Sequence, residues 1–275
     1  MDGTVLAPPF APIPRLGLGT WPMRGAECRA AVEGALALGY RHLDTAEMYG
    51  NEEAIGEALR ATAVPREEVF LVTKAWWDKT GGEAIRRSCE ASLRRLRQPH
   101  VDLYLIHWPS PALDLPDALR ALAQLQADGM ARHVGVANFP AGLLRRAVES
   151  GIVRLACVQV EHHLLLSQDR LLAYAGPLGI AVTSYTPVAK GQVAGIPEVR
   201  RIAAKHGATP AQVALAWLLA MPGVGAIPKS ASGARQAENL AALTLRLDEG
   251  DLATLAALPK DRRLVDPHFA PDWDA

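Results

Sequence analysis

The feature that most constrains the fold of this chain is an alternation of short apolar runs with stretches of helical periodicity, from residue 16 to residue 258. Strands are predicted at 16–20, 41–44, 69–74, 101–106, 133–137, 156–160, 180–185 and 224–227. Helices are predicted at 27–38, 53–60, 83–96, 116–127, 143–149, 170–175, 198–206, 211–219, 234–241 and 249–258. Continuous alternation of this kind predicts an α/β fold with a parallel sheet.

An incomplete glycine pattern separates two α/β architectures. A doubly wound sheet that binds a dinucleotide carries Gly-x-Gly-x-x-Gly after its first strand. Here Gly17 and Gly19 are present, but Pro22 stands at the third position. Since no Pro/Gly/Ser-rich linker divides the chain, we predict a single-domain (β/α)8 TIM barrel over residues 1–275. Residues 1–15 are predicted as a Pro-rich extended lead-in and residues 259–275 as a C-terminal tail.

Composition limits the expected partners and compartment. Basic and acidic residues number 29 each, so charge gives no reason to expect a nucleic-acid or anionic-membrane partner. No apolar run approaches the roughly 18 residues of a membrane span, and the N-terminus lacks the basic region of a signal peptide. Cys28, Cys89 and Cys157 are expected as buried free thiols. These features predict a soluble cytoplasmic protein.

Polar or aromatic side chains stand at the ends of seven successive predicted strands. They are Asp44, Lys74, His107, Asn138, Gln159, Tyr185 and Lys229. The reactive residues of a barrel occupy the carboxyl ends of the strands, which meet at one mouth. Because stability alone does not explain seven such ends, we expect the functional site there.

Taken singly, these residues have ordinary structural explanations. Asp44 could cap a loop, and Tyr49 on the loop after it could be a half-buried packing residue. A hydrogen-bonded core histidine is the favoured explanation for His107 taken alone. Lys74 ends an apolar strand, so it is expected either to pair with Asp44 or to take part in chemistry.

Together, the same residues can reduce a carbonyl group. A lysine ammonium favours the phenolate form of a nearby tyrosine, so Lys74 is expected to strengthen Tyr49 as a proton donor, with Asp44 holding the lysine. His107 can donate a hydrogen bond to the carbonyl oxygen and orient it. The set then needs only a source of hydride.

Four motifs in register carry a resemblance to a known family. They are the segment from Asp44 to Glu52 (Asp-Thr-Ala-x-x-Tyr-Gly-Asn-Glu), the strand-end Lys74, Ile-His-Trp-Pro at 106–109 and Ile-Pro-Lys-Ser at 227–230. The chain resembles the aldo-keto reductase family over nearly its whole length. Within the family it looks most like bacterial 2,5-diketo-gluconate reductases of the B type, because of His-Trp-Pro-Ser-Pro at 107–111 and the tail at 263–274.

The resemblance implies a monomeric NADPH-dependent reductase of small aldehydes and ketones, such as keto sugars, methylglyoxal, β-keto esters or aromatic aldehydes. Its implied catalytic residues are Asp44, Tyr49 as the acid, Lys74 and His107. The implied cofactor contacts are Asn138 and Gln159 on the nicotinamide carboxamide, Tyr185 on the ring, Lys229, Ser230 and Arg235 on the 2′-phosphate, and Glu238 and Asn239 near the adenine. Thr20 is a further implied cofactor contact.

Tryptophans are expected to form the substrate cleft, and two departures from the family pattern are expected to affect the cofactor. Trp21, Trp76 and Trp108 each stand beside a catalytic strand end, whereas Trp77 is expected to point elsewhere and Trp217 to lie in the core. Ala137 replaces the usual serine before Asn138, which is expected to weaken cofactor binding by about 0.5–1.5 kcal/mol. The loop at 186–196 is short, so fast cofactor release is expected.

Alternatives to a reductase remain open on the sequence alone. Lys74 could form a Schiff base in a barrel aldolase, or the chain could bind a nucleotide as a non-catalytic sensor. The adjacent His162 and His163 suggest a metal site, but neighbours on a strand point to opposite faces and no third ligand is spaced nearby. We therefore expect no metal.

Overall fold

Eight parallel strands form the centre of the molecule in the computed structural model, which describes residues 4–273. They are β1 (Leu18–Gly19), β2 (His42–Asp44), β3 (Phe70–Ala75), β4 (Val101–Ile106), β5 (Ala131–Ala137), β6 (Cys157–Glu161), β7 (Ala181–Tyr185) and β8 (Val224–Ala226). Each strand pairs in parallel with the next along the chain. Parallel bridges from Leu16 to Ala226 and from Gly19 to Lys229 join the last strand to the first. The sheet therefore closes into the predicted (β/α)8 barrel.

Helices surround the sheet. They are α1 (Gly25–Leu38), α2 (Glu52–Ala61), α3 (Gly82–Leu96), α4 (Leu115–Ala127), α5 (Ala141–Glu149), α6 (Asp169–Ala175), α7 (Pro197–Lys205), α8 (Pro210–Leu219), α9 (Gly233–Ala241) and α10 (Glu249–Ala256). Every predicted strand and helix is present, with bounds that differ by at most two residues. Short 3-10 helices at Glu47–Tyr49, Arg66–Glu68, Gly176–Leu178 and Ala189–Gly195 were not predicted. None of the described helices is long and apolar enough to span a membrane.

Capping residues explain why the helix bounds could be predicted. Thr209 and Asp248 each accept a hydrogen bond from the backbone N–H three residues later and form a capping box. Gly39 ends α1 in the left-handed conformation at φ 106°. Asn51 precedes α2, but its side chain makes no capping bond. The Asn51 side chain instead forms hydrogen bonds with Thr20 and Thr45.

Apolar side chains fill the barrel interior, and the lead-in covers the end at which the strands begin. Leu6 and Ile13 pack in one cluster with Phe70, the first residue of β3. Instead of the extended segment that we predicted, the lead-in folds back on itself, with a bridge between Val5 and Pro14. Residues 1–3 of the predicted lead-in and 274–275 of the predicted tail lie outside the described residues. The site must therefore form at the opposite end of the barrel.

Buried histidines make the stability of this fold depend on pH. Burial lowers the pKa of His42, and that of His162 to about 3. The folded chain then binds fewer protons than the unfolded chain, so stability is full above pH 6.5 and falls as the pH drops below it. Urea unfolding should show a loss of up to about 1.4 kcal/mol per pH unit for each histidine. In His162→Gln the unfolding free energy should fall less steeply with decreasing pH, by the contribution of one histidine. An unchanged pH dependence would contradict the assignment of this effect to His162.

Candidate active site

A cavity of about 1030 Å³ opens at the carboxyl ends of the strands. The predicted site residues that line it are Thr20, Trp21, Asp44, Tyr49, Trp76, His107, Trp108, Asn138, Gln159, Tyr185, Lys229, Ser230, Arg235, Glu238 and Asn239. Lys74 is absent from the lining because its side chain is fully buried. The structure thus brings residues from positions 20 to 239 to one mouth.

An ion pair forms the base of the site. Lys74, on β3, donates to Asp44 Oδ1 at 2.6 Å and to the carbonyl oxygen of Thr45 at 2.8 Å. The other carboxylate oxygen, Oδ2, accepts from Gln159 Nε2 at 2.7 Å. Burial lowers the pKa of Lys74, while the neighbouring Asp44 acts in the opposite direction. Both charges are withdrawn from water and satisfied by fixed partners.

Buried polar side chains hold the loop after β2. Thr20 donates to the carbonyl oxygen of Asp44 at 2.9 Å, and Asn51 Nδ2 donates to Thr20 Oγ1 at 3.1 Å. Asn51 Oδ1 accepts from Thr45 at 2.5 Å. The hydroxyl of Thr20, predicted as a cofactor contact, therefore also fixes the segment that carries Asp44 and Tyr49.

Tyr49 lies on the 3-10 helix Glu47–Tyr49, between aromatic rings and the buried lysine. Its ring centroid is 5.1 Å from that of Trp21 and 5.6 Å from that of His107, and Lys74 Nζ is 5.2 Å from it. Burial, and secondly the charge of Asp44, raises the pKa of Tyr49 well above its ordinary value. Burial outweighs the effect toward the phenolate that is expected of Lys74, and Tyr49 is protonated at neutral pH.

His107 is neutral in this setting. Burial, and secondly the charge of Lys74, lowers its pKa well below the ordinary value of histidine. Its ring packs edge-to-face against Trp76, with centroids 5.0 Å apart, and its Nδ1 has no protein hydrogen-bond partner. A neutral imidazole carries one N–H, which can donate to a carbonyl oxygen.

Amide and phenol groups cover the next part of the cavity. Asn138 follows β5 with a left-handed backbone at φ 59°, and its Nδ2 donates to the carbonyl oxygen of His107 at 2.9 Å. Its Oδ1 accepts from Tyr185 at 2.7 Å. Ala137 is fully buried within the barrel, and its effect on cofactor affinity stays a prediction. These groups form a fixed polar wall beside the catalytic candidates.

Cationic side chains stand at the far end of the cavity, around the start of α9. Neither Lys229 nor Arg235 has an ion-pair partner within residues 4–273. The Ser230 hydroxyl accepts from the backbone N–H of Ser232 at 3.1 Å, which fixes the turn before the helix. Glu238 accepts from Thr209 at 2.6 Å. Unpaired cations at a helix start suit a phosphate group.

Comparison with known proteins decides the family. A model of the aldo/keto reductase family matches residues 15–260. The chain belongs to the aldo-keto reductase family. Methylglyoxal reductase DkgB of Salmonella typhimurium is 40% identical over 266 residues, which cover 95% of this chain and 99% of that protein. Methylglyoxal reductase DkgA of the same organism is 39% identical, over 96% of this chain and 93% of DkgA.

Solved structures agree with this assignment. A crystal structure named for 2,5-diketo-D-gluconic acid reductase B has a TM-score of 0.95 and 39% identity, and covers 100% of this chain and 99% of its own. The aldose reductase of Schistosoma japonicum has a TM-score of 0.89 and 32% identity, over 95% of each chain. This aldo-keto reductase is therefore an oxidoreductase enzyme with the (β/α)8 fold of its family.

The C-terminal tail of this aldo-keto reductase completes the cavity, a contact that we did not predict from the sequence. Phe269 packs edge-to-face against Trp76 and Trp108, with centroids 5.4 and 5.6 Å apart. It also stacks on Trp77, with centroids 4.9 Å apart, and Trp77 itself does not line the cavity. Trp217 is buried in the core as predicted. The aromatic residues near the end of the sequence were the available signal for this contact.

Two other segments that the sequence singled out lie at or near this end of the barrel. The segment predicted as a short loop contributes to the cavity lining, through Thr186, Pro187 and Val188 and through part of the 3-10 helix Ala189–Gly195. The adjacent histidines bind separate partners: His162 Nδ1 lies 3.2 Å from Ser184 Oγ, and His163 Nε2 lies 2.9 Å from Glu161 Oε1. Within residues 4–273, no three metal-binding side chains come together.

Proposed function

We propose that this aldo-keto reductase reduces small aldehydes and ketones to alcohols with NADPH, and that Tyr49 is the proton donor. One observation carries the proposal. A protonated tyrosine and a neutral histidine face one cavity over a buried Asp44–Lys74 pair, and unpaired cations stand at the cavity's other end. The protonated phenol carries the proton that a general acid must donate.

Each residue has a distinct part in the proposed reaction. Tyr49 and His107 donate hydrogen bonds to the carbonyl oxygen and thereby orient it. The hydride for the carbonyl carbon would come from NADPH when it is bound. Tyr49 gives its proton to the oxygen, which becomes a hydroxyl group, and the Lys74 ammonium stabilises the resulting phenolate. Asp44 favours the charged form of Lys74, because its carboxylate accepts a hydrogen bond from the lysine ammonium at 2.6 Å.

The residues present fit NADPH along the length of the cavity. Asn138, Gln159 and Tyr185 would hold the nicotinamide, and Thr20 also lines the cavity. Glu238 and Asn239 would contact the adenine. Lys229, Ser230 and Arg235 would hold the 2′-phosphate, because two of these carry charges without ion-pair partners in the described chain. This cationic set supports NADPH over NADH.

The alternatives receive less support. Lys74 is fully buried and donates to two protein oxygens, so its amine does not face the cavity as a Schiff-base nucleophile would require. A non-catalytic sensor would leave the coincidence of Tyr49, His107 and the ion pair unexplained. The tryptophan and phenylalanine walls support uncharged and aromatic carbonyls as substrates. Three buried free cysteines support the proposed cytoplasmic location, and a monomer remains our proposal.

Oxidation of NADPH should be followed with methylglyoxal, benzaldehyde and a keto sugar as substrates. Wild-type protein should turn over at least one of them. Arg235→Ala should lower kcat/KM for NADPH by about 10- to 100-fold, because a charge-assisted contact is lost, and should change the NADH reaction little. Arg200→Ala, an exposed arginine outside the cavity, is the matched control. Equal losses with both nucleotides would refute the phosphate assignment, and no turnover with any carbonyl would refute the proposed activity.

A further inference from the structure

A buried carboxylate outside the proposed catalytic set holds the C-terminal tail. Glu161 is the last residue of β6, and its side chain is fully buried. Oε1 accepts from the backbone N–H of Leu264 at 2.8 Å, and Oε2 accepts from that of Val265 at 3.0 Å. Arg263 Nη1 lies 3.8 Å from Oε2. The carboxylate thus spans two consecutive N–H groups about a hundred residues away in the sequence.

His163 completes this anchor. Its Nδ1 accepts from the backbone N–H of Leu165 at 3.2 Å, so Nε2 is the protonated nitrogen and donates to Glu161 Oε1 at 2.9 Å. A buried carboxylate is costly unless donors satisfy it. Here two of the donors that satisfy it are backbone N–H groups of the tail, and His163 supplies a third.

The anchored segment forms part of the wall of the active-site cavity. Leu264 and Val265 line the cavity directly, as does Phe269 four residues further along the chain. Phe269 in turn closes the aromatic wall with Trp76 and Trp108. The position of this wall therefore depends on where the carboxylate holds the tail.

We propose that Glu161 is a positioning residue for substrate specificity, because its carboxylate fixes the tail so that Phe269 forms a wall of the substrate cleft. This inference rests on the proposed carbonyl reductase function. Glutamine cannot replace the carboxylate, since it has one oxygen for two converging N–H groups, and its own NH₂ would face one of those donors. The residue acts through the tail and takes no part in proton or hydride transfer.

Glu161→Gln should raise KM for benzaldehyde about 10-fold or more and change kcat less than about 3-fold. KM for methylglyoxal, which is too small to fill the aromatic cleft, should change little. Hydrogen exchange should be faster in peptides that contain residues 264–269 and unchanged in the barrel strands. Wild-type turnover with an unchanged benzaldehyde KM in the variant would overturn this inference alone, whereas absence of wild-type turnover would overturn the proposed function.

Two comparisons separate positioning from general destabilisation. Asp102→Asn is the matched control, because Asp102 is also buried and accepts from the backbone N–H of Leu71 at 3.0 Å, but near the start of β4. An equal rise in KM in this control would overturn the inference. Phe269→Ala should raise KM for benzaldehyde similarly, and the double variant with Glu161→Gln should show little further rise. Independent, additive effects would overturn it as well.

Should Glu161→Gln fail to fold, His163→Leu provides a milder test. It removes one donor to Glu161 Oε1 and the acceptor of the Leu165 N–H, and it replaces a fully buried imidazole with an apolar side chain. The expected result is a smaller rise in KM for benzaldehyde together with faster exchange at 264–269. If neither changes, Glu161 does not position the tail.

Discussion

Tyr49→Phe should lower kcat for carbonyl reduction by about three orders of magnitude, while NADPH still binds. General acid catalysis contributes about 10²- to 10⁴-fold, and the substitution removes the proposed acid without removing the ring. The ring contacts with Trp21 and His107 can persist, so neither the cleft nor the fold should change. Steady-state turnover and nucleotide titration on the same preparation measure the two quantities.

Tyr185→Phe is the matched control for this experiment. It also removes a phenol from the cavity lining, but one whose hydroxyl donates to Asn138. It should lower kcat by less than about 10-fold, which is the cost of one hydrogen bond. If Tyr49→Phe kept more than a tenth of wild-type kcat, another group would have to supply the proton.

The pH profile of kcat provides an independent check on Tyr49. Because burial raises its pKa, the protonated form is kept from neutral pH into the alkaline range, and activity should be lost only as the pH rises above the ordinary tyrosine value of about 10. Had Lys74 lowered this pKa as the sequence suggested, kcat would decline well below pH 10. The measured profile distinguishes the two situations.

Local chemistry explains which features could be predicted from the sequence. Helix ends at Thr209, Asp248 and Gly39 follow from caps and turns that a few adjacent residues determine. The cavity lining could be predicted because parallel barrel strands bring their carboxyl ends to one mouth. A residue's place at the end of a strand was therefore enough to predict that it lines the cavity, without knowing which distant residues it contacts.

Long-range contacts and burial explain the rest. The bonds from Leu264 and Val265 to Glu161 cross about a hundred residues, and no periodicity indicates them. The lead-in folds over the barrel because Leu6 and Ile13 pack against apolar side chains from several strands. Those side chains come together only when the sheet closes. The Tyr49 pKa could not be predicted from neighbouring charges alone, because desolvation, which depends on the folded surroundings, is the larger effect here.

Lys74→Met should destabilise the protein by about 3–5 kcal/mol and also abolish most activity. The substitution leaves Asp44, which is almost fully buried, with Gln159 as a donor but without a countercharge. Urea unfolding should show the loss as a lower midpoint with a similar slope. Arg86→Met, which removes an exposed ion pair with Asp128, should leave the midpoint nearly unchanged.

The double variant Asp44→Asn with Lys74→Met separates the structural role of the pair from its chemical role. Removing both charges leaves no buried unpaired ion, so most of the lost stability should return, since neutral replacement of a buried pair costs little. Activity should stay low, because no ammonium remains to stabilise the Tyr49 phenolate. Recovery of turnover together with stability would show that the pair only holds the fold. A double variant as unstable as Lys74→Met would mean that the unpaired Asp44 charge is not the cause of the instability.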